Sequence, residues 1–408
     1  MLAQVRKEPL TSGSGDWLIN PNFLPSERGS RKLLFESRSS LFLRDMNTNL
    51  QHEIGPGRKA TYSLSGHLVY RAGSDLWARP FSLQHARFEG EAVQVARMAT
   101  DPSVASDGTL VYRDLGTSQL VWVDRRGART GTAGLPSNGM YYPALSPDGR
   151  RVALEALENE SLDVWVVDIE RRTRVRLSSH PASEILPTWS PGGEKVAFGS
   201  YHAGNLDIVV RDTDGSREEA TLAAGPLNER VSDWSRDGQY ILYWVHPKNG
   251  TDVWYLQRSA GGRWEPHPLL ETSAQERSAK FSPDGRYVAY ISDESGRDEL
   301  YVREFLSGGR KWPVSTNGAS QVRWSRKGRE LFYTEGDTLI AVPVSTAGGF
   351  TAGPPSRLFS HPGFGNWSDP NYDVTADGQR IILPERMGEQ ERMIHVVQNW
   401  FTELRDRR

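Results

Sequence analysis

The strongest constraint on this chain is a turn written again and again at a fixed interval. Eleven residues from Ser146, SPDGRRVALEA, return as SPDGRYVAYIS from Ser282, with worn copies between them, SPGGEKVAFGS from Ser190 and SRDGQYILYWV from Ser235. Successive copies are about 45 residues apart, a period that belongs to stacked supersecondary units. In SPDG, Pro147 presets φ for the first corner of a type I turn and Asp148 suits the second. Gly149 takes the left-handed conformation that follows, closing an antiparallel hairpin with a bulge.

Around each turn the apolar pieces are of strand length. The unit at Ser146 reads MYYPAL, turn, RRVALEAL, polar loop, LDVWVVDI, break, RVRLSS, which makes a four-stranded antiparallel meander. The same grammar follows WSPGGEKVAF, WSRDGQYILY, FSPDGRYVAY, WSRKGRELFY and VTADGQRIIL, and the last copy has no obvious fourth strand. Upstream it persists in weaker form at FLPSERGSRKLLF, SLSGHLVY and VASDGTLVY. Helical periodicity is absent except for a hint in the tail WFTELRDR.

A lone four-stranded sheet cannot bury both faces, and radial stacking around an axis solves that problem. The expected fold class is therefore all-β, a β-propeller of four-stranded antiparallel blades, with six clear units and about three degenerate ones. Two closures are open. The six strong units (140–408) close by themselves, with 20–139 as three degenerate repeats, or eight or nine blades form one ring. In the second case the N-terminal segment 1–19, through QVRKEPLTSG, supplies the missing outer strand.

Composition removes several classes of function. The 49 basic and 51 acidic residues leave a net charge of −2 without a long basic run, which excludes the footprint of a nucleic-acid binder. No stretch of about 20 apolar residues marks a membrane span. The start MLAQVRKEPLTSGSG lacks the apolar centre of a secretory signal. Cysteine is absent, so disulfides and thiolate metal sites are excluded, whichever the compartment.

The turns SPDG, WSPGG and FSPDG, each followed by a hydrophobic strand and then LDVWVVD, LDIVVRD or DELYVRE, resemble the TolB-like (PD40, WD40-like) β-propellers. More narrowly, GHLVYRAGSDLWARPFSL, SGRDELYVREF, YDVTADGQRIIL and VVQNWFTELR look like bacterial propellers joined to serine/threonine protein kinases. That resemblance implies a sensing or binding module of a bacterial signalling or envelope system. It also implies an extracytoplasmic (periplasmic) site if a membrane anchor accompanies it, and a cytoplasmic one if the chain stands alone. No HRD, DFG or phosphate loop is present, so the kinase domain is absent from these residues.

The elbow G-x-S-x-G does not occur, and TSGSGDW reads as a flexible connector. No H-E-x-x-H exists, so no metal is expected. RDTDGSREE, from Arg211, places its Gly215 too early for a calcium loop and reads as a hairpin turn. Asp75, Asp163, Asp207 and Asp252 recur once per unit and are expected to accept loop N–H groups. Trp189, Trp234, Phe281 and Trp324 recur likewise and are expected in the inter-blade core.

Counting back five residues from those aromatics reaches Glu184, Glu229 and Glu276, and Asp369 counted from Val374. Met140 and Ala319 hold the other two places. Such positions are expected near one channel mouth, where four carboxylates would attract a cation, an amine or a basic peptide, unless nearby arginines pair with them. Tyr201, His202, His246 and Arg297, in loops on the same face, are the residues there best suited to specific contacts. The expected function is non-enzymatic recognition of a protein, peptide or small ligand, without cofactor. The alternative is the regulatory or catalytic propeller of a hydrolase or peptidase.

Overall fold

The computed structural model describes residues 19–402 apart from 26–30, 38–39, 98, 115, 159–160, 179–181, 203, 217, 248–249, 308, 366–367 and 388–393. Residues 1–18, which hold QVRKEPLTSG and TSGSGDW, lie outside the described residues. The chain forms two compact units, 117–388 and a smaller one made of 1–116 with 389–408. Among the described residues regular structure is β-strand, with one 3-10 turn at Pro362–Phe364.

The larger unit contains six sheets, each a blade. Five begin with the innermost strands Tyr141–Leu145, Glu184–Trp189, Arg230–Trp234, Glu276–Phe281 and Ser320–Trp324 and continue outward in chain order. They are called blades 1 to 5. Blade 6 is composite. Its inner strands Asp373–Val374 and Arg380–Arg386 pair onward with Thr117–Asp124 and Arg129–Asn138. The last repeat, which lacked a fourth strand in sequence, thus takes both outer strands from residues that precede blade 1. The ring opens at Thr117, whereas the repeat spacing placed its start at residue 140 and its end at 408.

Hydrophobic clusters explain why the ring closes. One sits at every junction: blades 1 and 2 around Trp189 and Phe198, 2 and 3 around Ile208 and Tyr243, 3 and 4 around Trp244 and Tyr290. The junction of 4 and 5 centres on Trp324 and Leu300, that of 5 and 6 on Phe332 and Tyr372. The sixth, with Leu120, Trp122 and Ile382 against Leu145 and Trp165, joins blade 6 to blade 1. Each fully buried aromatic or aliphatic side chain contributes about 1.5–3 kcal/mol relative to exposure. Among the described residues, every junction between successive blades is filled in this way.

The repeated turn does what its letters dictate. Gly149, Gly193, Gly238, Gly285, Gly328 and Gly378 all have φ between 68° and 82°. Their N–H groups donate to Ser146, Ser190, Ser235, Ser282, Ser325 and Thr375 carbonyls at 2.8–3.0 Å. The hydroxyl of the same residue accepts a backbone N–H five positions on, as in Arg151 to Ser146 at 2.9 Å and Tyr240 to Ser235 at 2.8 Å. It donates in turn to the turn aspartate, Ser235 to Asp237 at 2.6 Å.

A second repeated device is silent in sequence. Tyr142, Leu186, Ser278 and Gln321, three places before the turn-proximal aromatic or its equivalent, have φ of 50–59°. The strand register slips there, and the bulge turns the end of each innermost strand. The smaller unit carries the same left-handed residue at the same offset, in Asn20, Lys59 and Asp101. Its three sheets are blade-like: 19–56, 58–96, and Ala99–Val104 with Leu110–Asp114 and Ile394–Val397. Their junctions are filled by Leu41 and Tyr70 in one case and by Val69, Leu110 and Trp400 in the other.

Candidate functional site

The bulge and the turn together fix what the end of each innermost strand presents. The residue just before the aromatic position is Ala144, Thr188, Asp233, Lys280, Arg323 and Asp373 in blades 1 to 6. All six line one cavity of about 240 Å³, together with turn residues such as Pro147, Pro191, Arg236, Pro283 and Arg326. This is the channel mouth on the face of the SPDG turns. Two apolar or neutral places are followed by an anion, two cations and an anion.

Those four charges also stitch neighbouring blades. Asp233 accepts the Phe281 N–H at 2.8 Å, and Asp373 accepts the Leu145 N–H at 2.7 Å. Lys280 is 6% exposed and donates to the Ser232 carbonyl. Arg323 lies 3.6 Å from Asp373 and reaches the Tyr372 and Pro143 carbonyls only at 3.3 and 3.5 Å. Burial, reinforced by Arg323, pulls the Lys280 ammonium down to about 8 despite Asp233. Burial raises Asp233 against the pull of Lys280. With Arg236 and Arg326 at the rim, the mouth has four basic and two acidic groups. Lys280 uses one of its three donors and Arg323 holds its acceptors loosely, so both retain capacity for a ligand.

The carboxylates reached by counting back five lie elsewhere. Glu184 is 0% and Glu276 1% exposed, and Glu229 and Asp369 are buried as well. Met140 and Ala319, at the equivalent places, are also buried. Three of the acids face the aspartate of the preceding blade: Glu184 with Asp163, Glu229 with Asp207, Glu276 with Asp252. Burial pushes Glu184 up to about 8, Glu229 to about 7, and Glu276 in the same direction, with the facing aspartate adding to each shift. Asp369 accepts the Ser368 hydroxyl at 3.1 Å and the Trp244 indole N–H at 3.4 Å. All four are thus buried in the ring, three of them at blade junctions, rather than exposed as an acidic ring.

The recurrent aspartates, expected to accept loop N–H groups, are reached by side-chain donors. Arg176 pairs with Asp163 at 2.7 Å, Asn205 donates to Asp207 at 3.0 Å, and Gln94 to Asp75 at 2.5 Å. Two of the repeated aromatics clip blades directly, since Trp189 Nε1 donates to the Ala144 carbonyl at 2.8 Å and Trp324 Nε1 to that of Lys280 at 3.2 Å. In RDTDGSREE, Ser216 N–H donates to Asp214 at 2.9 Å, and Gly215 has φ of 72°, a hairpin turn.

Of the loop residues, Tyr201 packs against the cluster between blades 2 and 3, and His202 lies 3.9 Å from Asp207. His246 and Arg297 come together in a second cavity on the face opposite the turns, with Arg230 and Arg277.

Comparison with known proteins agrees with this architecture. Residues 104–267 match the family described as TolB beta propeller domain (PD40). An uncharacterized protein of Agrobacterium fabrum is 30% identical over 111 residues, which cover 25% of this chain and 38% of that protein. The chain thus aligns with well under half the length of this curated relative. Among solved structures, a protein described as TolB from Agrobacterium tumefaciens superposes with a TM-score of 0.53 at 16% identity, covering 67% of this chain and all but 1% of its own, since 99% is matched. TolB from Acinetobacter baumannii gives 0.42 at 16% identity, over 74% of this chain and 82% of that one.

Proposed function

We propose that this β-propeller, which matches the TolB propeller family over residues 104–267, is a binding module whose turn-face channel mouth receives an acidic segment of a partner protein or peptide. One observation carries this reading. At a position that the repeat makes equivalent in all six blades, the residue identities differ in every blade but one pair, while the neighbouring turn letters are repeated. Scaffold requirements favour the same residue in each blade, so variety at a fixed, channel-facing address is what a ligand requires.

Charge decides the ligand class. Lys280 and Arg323 stand side by side in successive blades, with Arg236 and Arg326 outside them and Asp233 and Asp373 flanking. A carboxylate fits between the central cations, and adjacent backbone or side-chain N–H groups of the same ligand fit the aspartates. A cavity of about 240 Å³ admits one or two residues of a peptide rather than a folded surface. The narrower resemblance to kinase-associated propellers supports placing such recognition in a bacterial signalling or envelope system.

The test is to pan a random peptide library against the full chain and measure affinities of the enriched peptides. Acidic peptides are expected, with binding weakened at least about tenfold by Arg323→Gln and by the rim substitution Arg326→Gln. Absence of acidic enrichment, or unchanged affinity in both variants, would overturn the reading.

A further inference from the structure

The face opposite the turns, where a negative mouth was expected, carries a basic pocket instead. It has a volume of about 630 Å³ and spans blades 3, 4 and 5, with Ser368 entering from the loop before blade 6. Its lining includes three arginines and one aspartate, Arg230, Arg277, Arg297 and Asp298. The chain as a whole has a net charge of −2, so this positive field is local.

The arginines are not equally committed. Arg297 pairs with Glu299 at 2.6 Å and also donates to the Thr316 carbonyl. Arg277 pairs with Asp298. Arg230 has no such partner among the described residues. Its guanidinium lies 5.0 Å from the centroid of the Trp244 ring, and its Nε is buried with no hydrogen bond. A guanidinium held against a ring face keeps its N–H groups for other acceptors, and its fork suits a planar or tetrahedral oxyanion. Beside it, the Thr251 hydroxyl donates to Gln275 Oε1 at 2.8 Å, which fixes the amide and leaves its NH₂ group as a further donor.

This pocket is separate from the turn-face mouth. Arg230 opens the strand that ends at Trp234, and Arg277 lies three residues before Lys280. At about 3.3 Å per residue the two levels are roughly 10 Å apart along the channel. Neither cavity is lined by Gln321, Asn371 or Tyr142, whose hydrogen bonds link three blades: Gln321 Oε1 accepts the Asn371 N–H at 2.9 Å and Asn371 Oδ1 the Tyr142 N–H at 3.0 Å.

We propose that this pocket binds a small oxyanion ligand, a carboxylate- or phosphoryl-bearing molecule, through Arg230 and Arg277 with Gln275 as neutral donor. Arg230 feels the field of the buried Glu155 but makes no hydrogen bond or ion pair among the described residues, so its donors are available to an oxyanion.

Isothermal titration of the full chain at low ionic strength with inorganic phosphate and, separately, with citrate tests this. Saturable binding of at least one probe is expected, and the preferred probe distinguishes a phosphoryl from a carboxylate source. Arg230→Gln is expected to weaken it at least about tenfold. Arg277→Gln carries the same test if the first variant loses its thermal transition. No saturable binding of either probe to the wild type, or wild-type affinity in a folded variant, would overturn the proposal.

Discussion

Asp373 accepts the backbone N–H of Leu145 at 2.7 Å and so joins the innermost strands of the last and first blades, 228 residues apart in sequence. The contact sits where the ring closes, next to the cluster of Leu120, Trp122 and Ile382 against Leu145 and Trp165. Asp373→Ala leaves the Leu145 N–H without its acceptor at that junction. The expected loss is about 1–3 kcal/mol in chemical denaturation. Asp373→Asn, which keeps an acceptor oxygen, is expected to recover most of it. Equal losses in the two variants would mean that the charge, through Arg323, matters more than the closure bond.

The junction acids make stability depend on pH in an unusual direction. Glu184 and the blade 1 residue Glu155, which accepts the Leu186 N–H of blade 2 at 2.5 Å, are pushed by burial to about 8 and Glu229 to about 7, all above the range of an unfolded glutamate. Between those limits the folded chain holds protons that the unfolded chain has released, so stability falls as pH rises from about 4.5 to about 8. His246 and His361, lowered chiefly by burial, act oppositely below about 6.5. Lys280, pulled down to about 8, adds stability only above that value. The clean comparison is therefore between about pH 6.5 and about pH 8, where the urea midpoint is expected to drop by the equivalent of roughly 4 kcal/mol. Glu184→Gln, neutral at both values, is expected to reduce that drop. A midpoint independent of pH would show that the acids ionise freely in the folded ring.

The ring, its blade type and the roles of its turns were legible in the sequence, because each rests on local chemistry. Pro147, Asp148 and Gly149 specify a turn by themselves, and Trp189 declares a core position by its size and its recurrence. Closure was not legible. SQLVWVD is a good third strand whether it follows VASDGTLVY in one sheet or crosses to Arg380–Arg386, since both partners offer the same antiparallel edge. The acids at Glu184, Glu229 and Glu276 were found by spacing, but spacing does not show burial. Asp233, Lys280, Arg323 and Asp373 were not legible as a set, because their letters do not repeat from blade to blade. The signal was present one residue before each aromatic, as charge that varies at a constant address.

The two units differ in how they use the ends of the chain. The larger unit, 117–388, contains all strands of its six blades, including both outer strands of the closing one. Its core clusters draw on no residue outside that span. The smaller unit depends on both ends of the chain: Leu110–Asp114 pairs with Ile394–Val397, and Trp400, 3% exposed, packs with Val69, Ala78 and Leu110. Residues 117–388 expressed alone are expected to give a cooperative thermal transition and strong near-ultraviolet dichroism from their buried tryptophans. Residues 1–116 alone, without that strand and tryptophan, are expected to be cut rapidly by protease, and adding 389–408 through a short linker is expected to slow the cutting. A non-cooperative melt of the 117–388 piece would show that the ring needs more than its own six junctions to hold.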